Sequence, residues 1–247
     1  MRQMRKFFIV MLSMVILMAG CAKTPVTQSP LKPEAVVATF LQSLSNGDVD
    51  SCLSLMADDA VINQDPPGVK VEGKAQIEAA LRRGTTGHQK YSVISPIKAD
   101  GDKVTLSVKV ASDDLKISGL EYMTTNVELQ VQEGKIKSWL SVPNSDDWKR
   151  LVELTAGGIG VKIEVVAQGI KVTELAKNSP AIEAGLRTGD LIIAVNGISF
   201  SQMREGEIQL RIRGPIGSKV KLTVTHEGAA SPIDMEVTRG DMAQLRY

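Results

Sequence analysis

The chain has 247 residues, enough for two domains of ordinary size. Its 29 basic and 28 acidic residues leave a formal charge of +1. With no Lys/Arg cluster interleaved with aromatics, that balance excludes the electrostatic footprint of a nucleic-acid-binding protein. The 43% hydrophobic fraction suits globular domains with real cores.

The first residues stand apart. Arg2, Arg5 and Lys6 make a positive start, and Phe7–Met18 is an apolar run of signal-peptide length, too short to span a bilayer comfortably. It closes on Leu17-Met18-Ala19-Gly20-Cys21. That closure resembles the lipobox of bacterial lipoproteins, in which small residues let an extended segment enter the peptidase and the thiol accepts the acyl chain. The resemblance implies a signal peptide over residues 1–20, lipid on Cys21 and attachment to a membrane of the cell envelope. Ala22 is not the Asp associated with inner-membrane retention, which points to the periplasmic face of the outer membrane. An ordinary secretory signal with a chance cysteine is the alternative. Residues 21–32, rich in Pro, Thr and Ser, read as an extended tether.

Pro33 opens a helix where its missing N–H costs nothing. Val37, Phe40, Leu41 and Leu44 recur at helical spacing until Asn46-Gly47 stops it. A second short helix is expected over Val49–Met56, carrying Cys52. With Cys21 acylated, Cys52 has no partner in the chain; it reads as a buried small hydrophobe, with a reactive thiol as the other reading. A strand near Ala60–Asn63 follows, then a helix over Lys74–Arg83 with Ile77, Ala80 and Leu81 on one face and Gly84 as terminator.

From there the period changes to two. Gln89–Ile97 reads as a strand and Asp100-Gly101-Asp102 as a turn. Val104, Leu106, Val108 and Val110 alternate with polar neighbours, as do Val127, Leu129 and Val131; Gly134 separates these from Lys135–Val142. These are antiparallel strands with one wet face. Pro143–Trp148 ends the sheet and starts a helix with an acidic first turn. Trp148, Leu151 and Val152 are expected to pack it back.

The order of three helices followed by a curved antiparallel sheet, with Phe40-Leu41-x-x-Leu44-x-x-Gly47-Asp48, Met56-Ala57-Asp58-Asp59-Ala60-Val61 and Gly134-Lys135-Ile136-Lys137-Ser138-Trp139, resembles an NTF2-like (SnoaL-type) cone over residues 33–154. The resemblance implies an α+β fold, with a homodimer through this domain as one use of it. Cones of this kind sometimes house isomerases or dehydratases, which need a carboxylate or His in an apolar pocket and a second group to stabilise an oxyanion. Candidates are Asp58, Asp59, Asp65, His88, Tyr91 and Tyr122. Asp58-Asp59 reads as a solvated turn, Asp65 and His88 as loop residues and Tyr122 as a core or rim residue, so no catalytic residue is assigned.

In residues 155–247, Gly158-Ile159-Gly160-Val161 precedes Ser179-Pro180-Ala181-Ile182-Glu183-Ala184-Gly185-Leu186-Arg187-Thr188-Gly189-Asp190, then Ile193-Ala194-Val195-Asn196-Gly197, then Ile212-Arg213-Gly214-Pro215-Ile216-Gly217. That ordered set is similar to the PDZ domains of bacterial C-terminal (tail-specific) processing proteases. It implies a β-sandwich or partly open barrel with two short helices. The glycine loop would gather backbone N–H groups around an anion, and Val161–Val165 would offer an edge for an added peptide strand. Ile159, Val161 and Ile163 should share one face. Ser179 reads as an N-cap, Pro180 as N1 and Gly185 as terminator; Leu186, Leu191, Ile193 and Val195 read as core.

The second PDZ helix, expected near Arg204–Arg213, departs from the family. Its apolar residues, Ile208, Leu210 and Ile212, have a period of two, and Gly206 lies inside it. Gln209 and Arg211 stand where aliphatic residues are usual, and Glu205 and Gln209 should face the groove. A polar ligand or an internal segment then becomes plausible.

The peptide-binding residues assigned are Gly158, Ile159, Gly160, Val161, Ile163, Glu205 and Gln209, with Cys21 as lipidation site. No metal, cofactor or phosphate motif is found, and no protease signature follows the PDZ-like segment. The expectation is a non-catalytic, membrane-anchored module holding a peptide or protein segment of the envelope. The alternatives are a cone that binds or converts a small apolar molecule, and a structural protein whose groove is blocked by its own chain, by residues near Met235–Tyr247 or by the helix near Trp148.

Overall fold

The structure, a computed structural model, describes residues 31–247; the expected signal segment, Cys21 and most of the tether lie outside them, as do the side chains of Gln202 and Glu205. Helix α1 (Pro33–Asn46) starts on Pro33 and buries Val36, Val37, Phe40 and Leu41. Gly47 ends it at φ +73, a left-handed cap that leaves its N–H on Leu44 O. Asp48 caps α2 (Val49–Ser54) by accepting from Ser51 N. This helix stops before the expected Met56, because Met56 already begins strand β1 (Met56–Gln64), which turns back into β2 (Val69–Glu72).

Helix α3 (Lys74–Thr86) runs past Gly84 and ends at Gly87. Gly84 serves packing instead of termination: a Cβ there would come 2.6 Å from Gln89 Oε1, and Gln89 N donates to Gly84 O. The strand expected over Gln89–Ile97 shortens to β3 (Lys90–Val93), ending before Pro96; an additional strand, β4 (Lys98–Asp100), follows, and both pair with β5 (Lys103–Ala111). Ser112 accepts from Leu115 N and caps an unexpected one, α4 (Asp113–Ile117). Strands β6 (Met123–Gln132) and β7 (Lys135–Pro143) complete a sheet of order β2-β1-β7-β6-β5-β3. It is antiparallel except where β1 runs parallel to β7.

The sheet and the first three helices enclose Phe40, Ile77, Leu129, Ile136 and Trp139. Helix α5 (Ser145–Thr155) is capped by Asn144 and tied to β6 by Thr124 N donating to Asp147 Oδ2 at 2.7 Å. Leu151 and Leu154 pack it on Leu115, Leu120 and Met123, whereas Val152, expected to pack, is 46% exposed.

A second sheet follows. Strands β8 (Gly157–Gly158), β9 (Val161–Val166) and β10 (Gly169–Leu175) precede α6 (Pro180–Glu183), which Ser179 caps. Then come β11 (Leu191–Val195), β12 (Ile198–Ser199), a 3-10 turn at Phe200–Gln202, α7 (Glu205–Ile212), β13 (Lys219–Thr225), β14 (Ile233–Thr238) and β15 (Gly240–Asp241). The sheet order is β14-β13-β11-β10-β9, with β12 beside β11 and a separate β8–β15 pair.

Two core expectations change. In β11, Ile192 and Val195 are fully buried while Leu191 and Ile193 are half-buried, because the pairing with β13 shifts register between Ile192 and Ala194 and breaks the alternation. In α7, Ile208 and Ile212 are buried one helical turn apart, and Leu210 points to another surface. A period-two triplet is thus divided between two faces of a helix.

Candidate functional site

Strand β9 is an edge of its sheet, paired with β10 on one side only among the described residues. Opposite it lies α7. The groove between them has a volume of about 440 Å³. Of the residues assigned from sequence, Gly158, Ile159, Gly160, Val161, Ile163 and Gln209 line it. Glu205 opens α7, one turn before Gln209, with its side chain outside the described residues. Val161 and Ile163 pack half-buried against the core that contains Ile159, so the three do share a face.

The glycine loop is held from both sides. Gly157 and Gly214 exchange backbone hydrogen bonds of 2.8 and 3.2 Å, and Gly158 pairs with Gly240. Gly160 has φ +78, and a Cβ there would lie 2.5 Å from Ser179 Cβ. Only glycine meets both constraints. The carbonyls of Ile159 and Gly160 accept from Ala181 N and Ala176 N. Their own N–H groups, in two buried residues, find no acceptor among the described residues. Buried backbone donors without acceptors are rare and costly. Two in succession at the head of the groove are donors left without a partner in the chain among the described residues.

Sequence reasoning missed Lys162, Ile212, Arg213, Met242 and Tyr247, which also line the groove. The first three sit on the expected strand and helix and were open to inference. Met242 and Tyr247 arrive through the last segment, considered above only as a possible plug of the groove: Met242 N donates to Ala156 O, Lys177 N to Arg246 O, and Lys162 Nζ lies 4.7 Å from the Tyr247 ring centroid. This segment borders the groove without pairing with β9.

In the first domain, two adjoining pockets of about 260 and 230 Å³ share Gln64, Gln89, Tyr91, Trp139 and Ser141. The walls of the larger are chiefly apolar, including Phe40, Leu44, Ile62 and Leu81. Of the catalytic candidates only Tyr91 is inside, edge-on to Trp139, and burial pushes its phenol above the ordinary tyrosine range. Asp58 and Asp59 are exposed and paired with Lys74 and Lys137. Asp65 is exposed, His88 lies on the surface 2.6 Å from Asp113, and Tyr122 is 40% exposed beneath Lys109. Asp114 is the one carboxylate among the described lining residues, and it is paired with Arg204 at 2.8 Å. The thiol of Cys52 is buried, pushed up to about 12 by burial and by the Asp48 charge, so it is a packed neutral group.

Comparison with known families decides the fold. A PDZ domain model matches residues 150–225 and a SnoaL-like domain model matches residues 37–139. The chain joins a SnoaL-like domain to a PDZ domain. It is 28% identical over 102 residues to a carboxy-terminal-processing protease of Bartonella bacilliformis, covering 41% of this chain and 24% of that protein. It is 30% identical over 111 residues to the carboxy-terminal processing protease CtpA of Bacillus subtilis, covering 45% and 24%. The chain thus spans about a quarter of these relatives' length. Among solved structures, an NTF2-like protein of unknown function from Cytophaga hutchinsonii matches 49% of this chain and 98% of its own, with 12% identity and a TM-score of 0.41.

The PDZ and SnoaL-like domains meet at α7. Arg204, its N-cap residue, holds Asp114 of α4, while Leu210 faces a cleft shared with Ile117 and Leu154. The helix that walls the PDZ groove therefore also forms the seam with the SnoaL-like domain.

Proposed function

We propose that this protein is a non-catalytic binding module of the cell envelope. Its PDZ groove holds a polypeptide segment by adding it as a strand to β9. The carrying observation is the β9 edge, unpaired among the described residues, which follows directly on Ile159 and Gly160, whose N–H groups have no acceptor among those residues. Strand addition satisfies the edge, and an acceptor group of the ligand satisfies those N–H groups. Lipid on Cys21 tethers the module to a membrane, at the periplasmic face of the outer membrane; the Leu17–Cys21 sequence supports this reading. The SnoaL-like domain acts as spacer or as a dimerisation surface.

Screening the protein against an array of envelope-protein peptides tests the reading. Specific peptides should bind and be lost on Gly160→Asp, whose Cβ would collide with Ser179 and displace the glycine loop. They should also be lost on Gln209→Trp, an exposed substitution that fills the groove and spares the core. Equal retention by both variants contradicts it.

The cavity around Tyr91 favours a second reading, in which the SnoaL-like domain takes up a small apolar molecule. Its described walls present amides, hydroxyls and apolar groups, with Arg83 and an Asp114 already paired with Arg204 as the charged members, which suits binding more than turnover. An apolar probe that changes tryptophan fluorescence, with the change lost when Tyr91→Trp fills the cavity and peptide binding unaffected, would support it.

A further inference from the structure

Arg204 anchors the helix that walls the PDZ groove. Its carbonyl accepts from Glu207 N and Ile208 N at 3.0 and 3.2 Å, which closes the first turn of α7. No side chain caps that turn; the anchor is steadied by its own guanidinium. Arg204 Nη2 donates to Asp114 Oδ1 at 2.8 Å, its one side-chain hydrogen bond among the described residues. The same guanidinium packs on Gly87, the C-cap of α3, where a Cβ would lie 3.6 Å from Nη1. Gly87 O in turn accepts from Asp113 N at the start of α4. The first turn of α7 is thus held where two helices of the SnoaL-like domain join.

Asp114 also faces the other way. With Ser112 and Leu115 of the same helix it lines the smaller of the two adjoining pockets in the SnoaL-like domain. Its side chain is 49% exposed, and Oδ2 has no hydrogen-bond partner among the described residues. Arg83, the other charged lining residue, borders only the larger pocket. Around Asp114 the walls offer Tyr91, Met123 and Trp139 to an apolar body, and the free oxygen of Asp114 to a basic group. One carboxylate therefore serves two places, the cavity and the foot of α7.

We infer that the SnoaL-like cavity is an effector site for the PDZ groove: a small apolar molecule with a basic end, bound with that end on Asp114, draws the carboxylate from Arg204 and loosens the wall of the groove. This rests on the cavity reading above and adds the charge of the ligand and its consequence. A single carboxylate cannot neutralise two cations, so ammonium and guanidinium repel each other across it. A neutral molecule of the same shape leaves the pair intact. Linkage makes the effect reciprocal: a peptide in the groove opposes the ligand in the cavity by the factor with which the ligand opposes the peptide. An ion pair of this exposure is worth little, which sets that factor at about two- to fivefold.

Two probes of matched shape separate charge from occupancy: naphthylmethylamine, charged at neutral pH, and naphthylmethanol, which is neutral. On the full chain, tryptophan fluorescence reads their binding. Amide hydrogen exchange at Glu207 and Ile208 reads the foot of α7 and needs no peptide. The amine should bind about fivefold more tightly than the alcohol and quicken exchange at these two amides about two- to fivefold; the alcohol should leave them unchanged. Asp114→Asn should remove the preference for the amine and by itself quicken the same amides. Tyr91→Trp, shown folded by circular dichroism, should exclude both probes and keep α7 at its wild-type rate when the amine is added. Equal affinity for the two probes, or amine binding that leaves Glu207 and Ile208 unmoved, overturns the inference and leaves the cavity reading standing. Quickening that persists in Tyr91→Trp places the amine outside the cavity and overturns it as well. Failure of both probes to bind overturns the cavity reading together with it.

Discussion

Gly160 shows how one position can fix a site. Its positive φ turns the chain from β8 into β9, and its missing Cβ lets Ser179 pack against it. Cys52 is the opposite case, a chemically capable group made inert by its surroundings. Its thiol sits at 1% exposure with Sγ 3.8 Å from Phe40 O. Because the folded pKa is raised, the neutral form is the one the fold favours. The associated stability is full below the ordinary value of 9.0 and drains as pH rises toward about 12. In a Cys21→Ser background, iodoacetamide at pH 8 should leave Cys52 unlabelled until denaturant is added; rapid labelling of the native protein contradicts the burial. Both residues were readable in advance, since a Gly-x-Gly before a strand and a cysteine on an apolar helix face carry local signals. Tyr91 was readable only as a candidate. Its place against Trp139 depends on β3 meeting β5, a contact between segments that residue type does not encode.

Helix α7 carries three jobs on eight residues: Ile208 and Ile212 to the core, Gln209 to the groove, Leu210 to the domain seam. That division explains why its sequence looked more like a strand than a helix. Gly206 adds nothing to any of these surfaces. It is exposed, its φ is not left-handed, and a Cβ there would meet open space. Gly206→Ala should stabilise the protein by about 0.5–1 kcal/mol in urea unfolding, since alanine loses less backbone entropy in a helix. It should leave peptide affinity unchanged; destabilisation would mean that this turn is not helical in solution. Elements with local signals, such as α1, α6 and the long strands β5 to β7, were legible from period and caps. The extension of α3 past Gly84 and the register shift in β11 were not, because each is imposed by a partner elsewhere, Gln89 in one case and β13 in the other.

At the scale of the molecule, two domains of different design share one helix. The Arg204–Asp114 pair and the Leu210 cleft join the wall of the PDZ groove to α4 beside the SnoaL-like cavity. An exposed ion pair of this kind is worth about 0.2–1 kcal/mol, so the junction orients the domains more than it stabilises them. Nothing in the sequence marked it: α4, which carries Asp114, was not expected, and Arg204 read as the margin of a helix. The last segment was legible only as a possible plug; that it borders the groove without pairing with β9 depends on the β8–β15 pair, which residue type does not encode. Amide hydrogen exchange along Val161–Val166 of the whole protein, with and without a peptide selected on the array, tests strand addition most directly. The outward-facing amides of β9 and those of Ile159 and Gly160 should slow sharply on binding, while the sheet of the SnoaL-like domain stays as it was. Unchanged exchange along β9, with slowing confined to residues around Tyr91, would contradict the groove as the place where this protein holds its partner.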